Sequence, residues 1–178
     1  VGTNYYGGAL VRFIIGDLVR ITALENPATG VKLPQMQFLT RVDDVIDIGG
    51  FTRLTEKTIW EAIEKSGVSY VEWTARKEYR QQKPVLNLHI ELRDGSSEEE
   101  VAGRIHGALK ELNEPYRELE SMAGLRPLQV TVLSKGTFRR YYEERRATGA
   151  DLGHLKPVHV NPSEEAVRNL LRMSNWRI

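Results

Sequence analysis

The chain of 178 residues carries 25 basic and 24 acidic side chains, a formal net charge of +1, and 40% hydrophobic residues. This is ordinary globular usage, which excludes a largely disordered chain, and it gives no electrostatic basis for binding nucleic acid or an anionic membrane. The absence of cysteine excludes disulfides, thiolate catalysis and cysteine-ligated zinc. No apolar run approaches the roughly 18–20 residues of a membrane span. We therefore expect a soluble, cytoplasmic protein that binds neither nucleic acid nor membrane.

The first third of the sequence predicts strands, because short apolar runs rich in β-branched residues recur there. These runs cover residues 9–15, 18–22, 36–42 and 45–48. Gly16-Asp17 predicts a turn between the first two runs. Gly49-Gly50 follows the fourth run, and two adjacent glycines indicate backbone freedom or close approach to a ligand.

From Thr55 onward the pattern alternates between helices and strands. Capping residues and apolar spacing predict helices that begin at Thr55, Ser97 and Thr137, a short helix over 115–122, and a terminal helix. For the terminal helix we expect Asn161 as the cap and Pro162 at the first helical position. Strands are predicted at 69–76, 84–92 and 127–133, and the alternation in the second strand assigns Asn87, His89 and Glu91 to a polar face.

The order of these elements predicts the fold class. From Asp44 the sequence reads β, α, β, β, α, α, β, α, α. This order is typical of an α+β fold, in which a small mixed sheet with three main strands is flanked by helices. The strands before Asp44 precede this domain.

Two residues of the first part can bind a nucleotide sugar. The carboxylate of Asp17, on its glycine turn, can accept hydrogen bonds from two adjacent ribose hydroxyls. Arg41, at the end of a later strand, can reach the same sugar. Each alone is an ordinary turn or strand residue, but both occur together with Asp43-Asp44 and Gly49-Gly50 at compatible spacing. This combination favours a nucleotide site followed by a hinge.

These motifs resemble a known family. The run from Gly16-Asp17 to Gly50 resembles the hinge region of adenylate-forming enzymes, a superfamily that includes acyl-CoA synthetases. Five later segments look like the C-terminal part of the auxin-responsive acyl-acid amido synthetases, the "Gretchen Hagen" family: Thr55–Lys57, Leu112–Arg117, Pro127–Leu133, Gly136–Phe138 and Gly149–Pro157. The resemblance extends from about Leu10 to Val160. It departs at Phe13-Ile14-Ile15, where the family commonly has tyrosine and arginine before the Gly-Asp pair.

The resemblance implies a domain division and an activity. Residues 1–42 would be the terminal strands of a larger N-terminal adenylation domain, and residues 43–178 would be the C-terminal lid domain. The start at Val1, without a methionine or a signal peptide, likewise indicates a cut within a longer polypeptide. The full-length enzyme would use ATP and Mg²⁺, bound mainly by the N-terminal domain, to convert a carboxylic acid to an acyl-adenylate. It would then transfer the acyl group to an amino acid. The present chain alone would be inactive, because it lacks the phosphate-binding loop and the acyl pocket.

The resemblance also assigns roles to individual residues. Asp17 would bind the AMP ribose with support from Arg41, Asp43 would be the hinge, and Gly49 and Gly50 would form the lid loop. Lys156 would be the catalytic lysine, because a mobile ammonium can stabilise the negative charge that develops on the phosphates.

Several alternatives stay open. Lys135, in a loop, competes with Lys156 for the phosphate role. The four histidines suggest no metal site, since His154 and His159 flank Lys156 without an acidic residue nearby in the sequence. The acceptor could be coenzyme A instead of an amino acid, and a non-catalytic α+β protein-binding module is a third reading. Strands near Val1–Ile21, if left unpaired, would favour a homo-oligomer.

Overall fold

The computed structural model describes residues 4–5, 8–9, 17–26, 28–30, 32–41, 45–50, 52–80, 82–123, 127–149 and 158–175. Asp43, the predicted hinge, and Lys156, the predicted catalytic lysine, lie outside the described residues. Most of the first predicted strand also lies outside them. The chain divides into two compact units, Val1–Asp44 and Val45–Ile178. The assignment of residues 1–42 and 43–178 to two domains of a longer protein stays a prediction.

The first unit consists of antiparallel strand pairs. β1 (Asn4–Tyr5) pairs with β2 (Gly8–Ala9), and β3 (Asp17–Ala23) pairs with β4 (Gln35–Arg41). The register of the second pair shifts twice, past Leu39 of β4 and past Thr22 of β3, so its ladder is interrupted at two points. Apolar side chains of this hairpin are exposed, among them Val19, Ile21 and Met36.

The second unit confirms the predicted α+β class. Its elements are β5 (Val45–Ile48), β6 (Thr52–Thr55), α1 (Glu56–Ser66), β7 (Tyr70–Arg80), β8 (Lys83–Leu92), α2 (Glu98–Leu112), α3 (Glu114–Ala123), β9 (Leu128–Leu133), α4 (Thr137–Ala147) and α5 (Glu164–Ser174). The sheet has the order β7-β8-β9, with β7 antiparallel and β9 parallel to the central strand. A parallel bridge from Ala75 to Val160 extends it beyond β7.

The main core lies on one face of this sheet. Leu86, Leu88 and Ile90 of β8 are fully buried there against apolar residues of α1 and α2. A second apolar cluster joins the end of β9 to α4 and α5 through Leu133, Phe138, Tyr141 and Leu170. The β5–β6 hairpin packs into the main core with Ile46, Ile48 and Leu54.

Local sequence accounts for the helix boundaries. Thr55 and Ser97 accept hydrogen bonds from the amides of Thr58 and Glu100, as expected of N-caps, so both predicted starts are confirmed. Gly67, at φ +66°, ends α1 in the left-handed conformation that glycine adopts readily. Among the described helices, none combines the length and apolarity needed to cross a membrane.

The terminal helix does not begin where the sequence predicted. Ser163, and not Asn161, is the N-cap of α5, and its hydroxyl accepts from the amide of Ala166. Asn161 adopts φ +54°, and its side-chain amide donates to the carbonyl of Val45. The backbone amide of Asn161 donates to Ala75, so this residue is used to attach the chain to β7.

The polar face predicted for β8 is present, but it is buried. Asn87, His89 and Glu91 retain only 3%, 3% and 4% of their surface. The alternation is real, but chain segments cover this face of the sheet as well. The sequence did not predict strand β6. Trp73 belongs to the core, whereas Trp60 is about half exposed.

Candidate functional site

The first unit places the two predicted ribose-binding residues opposite each other. Asp17 is the first residue of β3, Arg41 is the last residue of β4, and the register pairs them directly. Directly opposed residues in an antiparallel pair have Cα atoms roughly 4.5–5.5 Å apart. Residues separated widely in sequence therefore meet at one end of a hairpin, although their role in nucleotide binding stays a prediction.

Gly49 and Gly50 occupy the turn of the β5–β6 hairpin. Their φ angles are +73° and +84°, and the amide of Gly50 donates to Asp47 Oδ1 at 2.8 Å. Side-chain-bearing residues rarely adopt such φ values, so the turn itself explains the glycine pair. The proposed role of this loop in a reaction stays a prediction.

A polar cluster at the free edge of β7 was not anticipated from the sequence. The ring of His159 contacts two carboxylates, with Nδ1 2.6 Å from Glu56 Oε1 and Nε2 2.8 Å from Glu72 Oε1. The same ring stacks on Trp73, at 4.6 Å between centroids and 12° between planes. The hydroxyl of Tyr142 donates to the other oxygen of Glu72 at 3.4 Å. The expectation that His159 lacks carboxylate support is therefore wrong.

This arrangement favours the imidazolium form of His159. The hydrogen bond with Glu72 is the main cause that raises the pKa of His159 above its ordinary 6.5, while burial opposes the shift and Glu56 adds to it. Burial acts to raise the pKa of Glu72, but its interactions with His159, the amide of Trp73 and the hydroxyl of Tyr142 together lower that pKa below its ordinary 4.5. The cluster is thus an ion pair extended to a second carboxylate.

The backbone around His159 is fixed to the same edge. The amide of Ala75 donates to the carbonyl of His159 at 2.7 Å, and the amide of Asn161 donates to the carbonyl of Ala75 at 2.9 Å. The hydroxyl of Thr74 donates to the carbonyl of Val158 at 2.8 Å. No local sequence signal could have revealed this cluster, because its carboxylates lie 103 and 87 residues before His159.

The loop that carries Lys135 already has an internal anion. Both oxygens of the buried Glu91 carboxylate accept hydrogen bonds at the start of α4, from the amides of Gly136 at 2.5 Å and Phe138 at 3.0 Å. A helix start attracts anions because its first amides lack partners in the helix. Since Glu91 uses two of these donors, this geometry gives little support to Lys135 as the rival phosphate-binding residue.

The remaining ionisable groups of the described residues were compared with the ligand sets that hold metal ions. Within the described ranges, no cluster of three histidine or acidic residues could hold a metal ion. His89 is buried, and neither of its ring nitrogens has a hydrogen-bond partner among the described residues. Burial lowers the pKa of His89, so this residue is neutral at pH 7.

The fold corresponds to part of the acyl acid amido synthetase fold. The solved structure of AtGH3.15, an acyl acid amido synthetase in complex with 2,4-DB, matches 89% of this chain with a TM-score of 0.61 and 17% identity. A second solved structure, of the GH3.15 acyl acid amido synthetase, matches the same share with a TM-score of 0.62 and 18% identity. This chain covers 29% and 30% of those two chains.

The sequence model of the GH3 family C-terminal domain matches residues 53–165, and the chain belongs to this family. A jasmonoyl–L-amino acid synthetase, GH3.5 of Oryza sativa subsp. japonica, is 26% identical over 179 residues. This alignment covers 95% of the chain and 29% of the relative. A probable indole-3-acetic acid-amido synthetase, GH3.1 of Arabidopsis thaliana, is 28% identical over 178 residues, which cover 90% of the chain and 28% of the relative. The chain thus spans less than a third of the length of these relatives.

Proposed function

We propose that this chain is the C-terminal part of an ATP-dependent, acid-activating ligase that joins a carboxylic acid to an amino acid. Membership of the GH3 family supports this proposal, and the similar curated proteins are named as synthetases of amino acid conjugates. In the first step, a carboxylate oxygen attacks the α-phosphate of ATP and pyrophosphate leaves. In the second step, the amine attacks the acyl carbonyl and AMP leaves. We assign the proposed reaction to the cytoplasm, a compartment that supplies ATP.

The single observation that carries the nucleotide site is the direct register between Asp17 and Arg41. An aspartate and an arginine paired at one hairpin end are residue types that supply an acceptor and donors suited to the hydroxyls of one ribose. We assign ribose binding to this pair and the phosphate role to Lys156. Asp43 is the hinge, and Gly49-Gly50 forms the loop that turns towards the second half-reaction.

Mg²⁺ in nucleotide sites is usually bound by one or two carboxylates together with the substrate phosphates. The resemblance to the family assigns these ligands mainly to the N-terminal portion of the longer polypeptide, and we derive no step through the ion. The residues of this chain would hold the nucleotide sugar and place a positive charge near the phosphates. On this proposal, the chain alone forms no acyl-adenylate.

Pyrophosphate release by the longer polypeptide tests the proposal. A panel of carboxylic acids would be supplied with ATP, and either amino acids or coenzyme A would be added as acceptor. Acid-dependent release that continues with an amino acid supports an amide-forming ligase, and turnover with coenzyme A alone would transfer the assignment to an acid–coenzyme A ligase. No release with any acid would contradict the enzyme assignment.

Substitution of Lys156 separates its assigned role from a general effect on the lid. Lys156→Ala should slow adenylation by about a hundredfold or more, as expected when a charge that stabilises the transition state is removed. Aminolysis of preformed acyl-adenylate should be spared. Lys135→Ala is the matched control and should leave both steps unchanged. Equal losses in both steps for Lys156→Ala would contradict its role, and normal turnover of Asp43→Pro would remove Asp43 as the hinge.

A second candidate function rests on the exposed apolar side chains of the β3–β4 hairpin. Val19, Ile21 and Met36 are 43%, 50% and 65% exposed, which is typical of a surface that another polypeptide covers. A protein-binding module or a homo-oligomer would bury this hairpin in trans. Light scattering of the longer polypeptide tests the homo-oligomer, because a mass above that of one chain would support burial of the hairpin between copies and a monomeric mass would contradict it.

A further inference from the structure

His159 is the point at which a separate piece of chain is fixed to the sheet. Residues 158–161 form a bridge to β7 and no regular strand, so their attachment depends on few backbone hydrogen bonds. The side chain of His159 adds contacts to Glu56 in α1, to Glu72 in β7 and to the face of Trp73. The imidazole thus connects this short segment to two elements of the main core.

The contacts of this ring are stronger than those of an ordinary surface histidine. The side chains of His159 and Glu72 are only 27% and 23% exposed, so solvent screens their ion pair incompletely. The stacked indole of Trp73 covers one face of the imidazole, and that indole is itself 1% exposed. A rigid core residue therefore sets where the ring lies, and the ring in turn sets the path of residues 158–161.

Covalent geometry extends this effect to the proposed catalytic lysine. Lys156 precedes Val158 by two residues, and consecutive Cα atoms are about 3.8 Å apart. Displacement of Val158 on release of the segment from β7 would therefore also displace Lys156.

We propose that His159 is a positioning residue for adenylation, because it anchors residues 158–161 to β7 and thereby fixes the chain end from which Lys156 reaches the nucleotide. The effect of His159 on adenylation rests on the proposed function. The attachment of residues 158–161 to β7 does not depend on that function. His159 would not touch the substrate.

The anchor should depend on pH, with a defined sign. The polar and charged groups around the ring are Glu56 from α1, Glu72 from β7 and Tyr142 from α4, which hydrogen-bonds Glu72. Because the pKa of His159 is raised, the stabilisation is complete below 6.5 and is lost as pH rises through the raised pKa. At the acidic end it is lost as pH falls through the lowered pKa of Glu72.

Hydrogen exchange on this chain tests the anchor without reference to activity. In His159→Gln, the amides of Ala75 and Asn161 should exchange at least tenfold faster than in the wild type at pH 6.5, because both bonds join β7 to the segment. His106→Gln is the matched control. The ring of His106 is also partly buried, lies 3.4 Å from the carboxylate of Glu120 and contacts the ring of Tyr116. His106, however, belongs to α2 and lies outside residues 158–161. Unchanged exchange in His159→Gln would overturn the proposal.

A milder variant keeps the test decisive if His159→Gln fails to fold. Glu56→Gln removes only the more exposed carboxylate, and it should accelerate exchange of the same two amides by a smaller factor. Exchange equal to that of the wild type would then overturn the anchor.

Kinetics of the longer polypeptide test the catalytic consequence. His159→Gln should lower kcat for adenylation at least tenfold with little change in KM for the acid, and aminolysis of preformed acyl-adenylate should be spared. His159→Arg, which keeps a positive charge between the carboxylates, should restore part of the rate and remove the loss at high pH. Faster exchange without a kinetic loss would overturn the positioning role alone. Failure of the wild type to release pyrophosphate with any acid would instead overturn the proposed function, while the exchange data would still decide the anchor.

Discussion

Replacement of Glu91 by glutamine tests the attachment of α4 to the sheet. The carboxylate of Glu91 is 4% exposed and accepts hydrogen bonds from the backbone amides of Gly136 and Phe138. Glu91→Gln keeps the size of the side chain but leaves only one acceptor oxygen. The new amide group must then lie against one of the two N–H donors, which loses its partner.

The magnitude follows from these contacts. A hydrogen bond to a charged group contributes about 1.5–3 kcal/mol, and a buried donor left without a partner costs about 1–3 kcal/mol. A negative charge at a partly buried helix start contributes up to about 2 kcal/mol. Since glutamine retains one neutral hydrogen bond, we expect Glu91→Gln to lower the free energy of unfolding by about 2–4 kcal/mol. For a chain of this size, that loss corresponds to roughly 6–12 °C in the unfolding midpoint.

Urea unfolding followed by circular dichroism measures this effect, with Glu98→Gln as the matched control. Glu98 is exposed and accepts a single backbone hydrogen bond, from Val132 at 2.8 Å. The control should therefore cost less than about 1 kcal/mol. Equal destabilisation by the two substitutions would refute the claim that the buried carboxylate fixes the start of α4. A loss below about 1 kcal/mol for Glu91→Gln would refute it as well.

Two further predictions concern His89 and the β5–β6 turn. Burial lowers the pKa of His89, so as pH falls through 6.5 the unfolded chain binds a proton at this residue before the folded chain does, and the folded state loses stability. His89→Leu should therefore reduce the loss of unfolding free energy between pH 7 and pH 5. The free energy of unfolding at several pH values measures this, and an unchanged difference between pH 7 and pH 5 would contradict it. Gly50→Ala should cost about 1 kcal/mol, because φ is +84° although a Cβ would meet nothing within 4 Å. Gly95→Ala, also in open space but without a positive φ, is its control in thermal unfolding, and equal midpoints for the two variants would contradict the backbone explanation.

The sequence predicted those parts of the fold that depend on neighbouring residues. Thr55 and Ser97 cap helices because a hydroxyl needs only the amide three residues ahead. The three main strands were found because short segments rich in apolar residues, with clear alternation in the second, lie between turn and helix signals. The order of these elements then determined the α+β class.

The errors arose where distant contacts override local preference. Asn161 resembles a helix cap in sequence, but its backbone amide is used by Ala75, far away in the chain. His89 and Glu91 alternate with apolar residues. From this local pattern alone, both polar residues would be assigned to the solvent-facing side of the strand. Amides at the start of α4 donate hydrogen bonds to the carboxylate of Glu91. These tertiary contacts supply the hydrogen bonds that a buried carboxylate requires.

The residues of the candidate site likewise include some that could be predicted from the sequence and some that could not. Asp17 and Arg41 could be selected because their residue types suit a ribose, and the strand register brings them together. The His159 cluster could not be selected, since Glu56 and Glu72 are remote in sequence and neither is unusual in its local setting. Residue chemistry suggests candidates, whereas convergence of distant residues requires the fold.

The two carboxylates on the covered face of the sheet explain why distant chain segments attach to it. Glu72 and Glu91 are direct partners between β7 and β8, and like charges directly opposite each other disfavour strand pairing. Each is bound by a later part of the chain: His159 binds Glu72, and the first amides of α4 bind Glu91. Tyr142 of α4 also hydrogen-bonds Glu72, so α4 contacts both carboxylates. Without α4 or residues 158–161, one of these paired carboxylates would lose its partners, so both attachments offset the repulsion between Glu72 and Glu91.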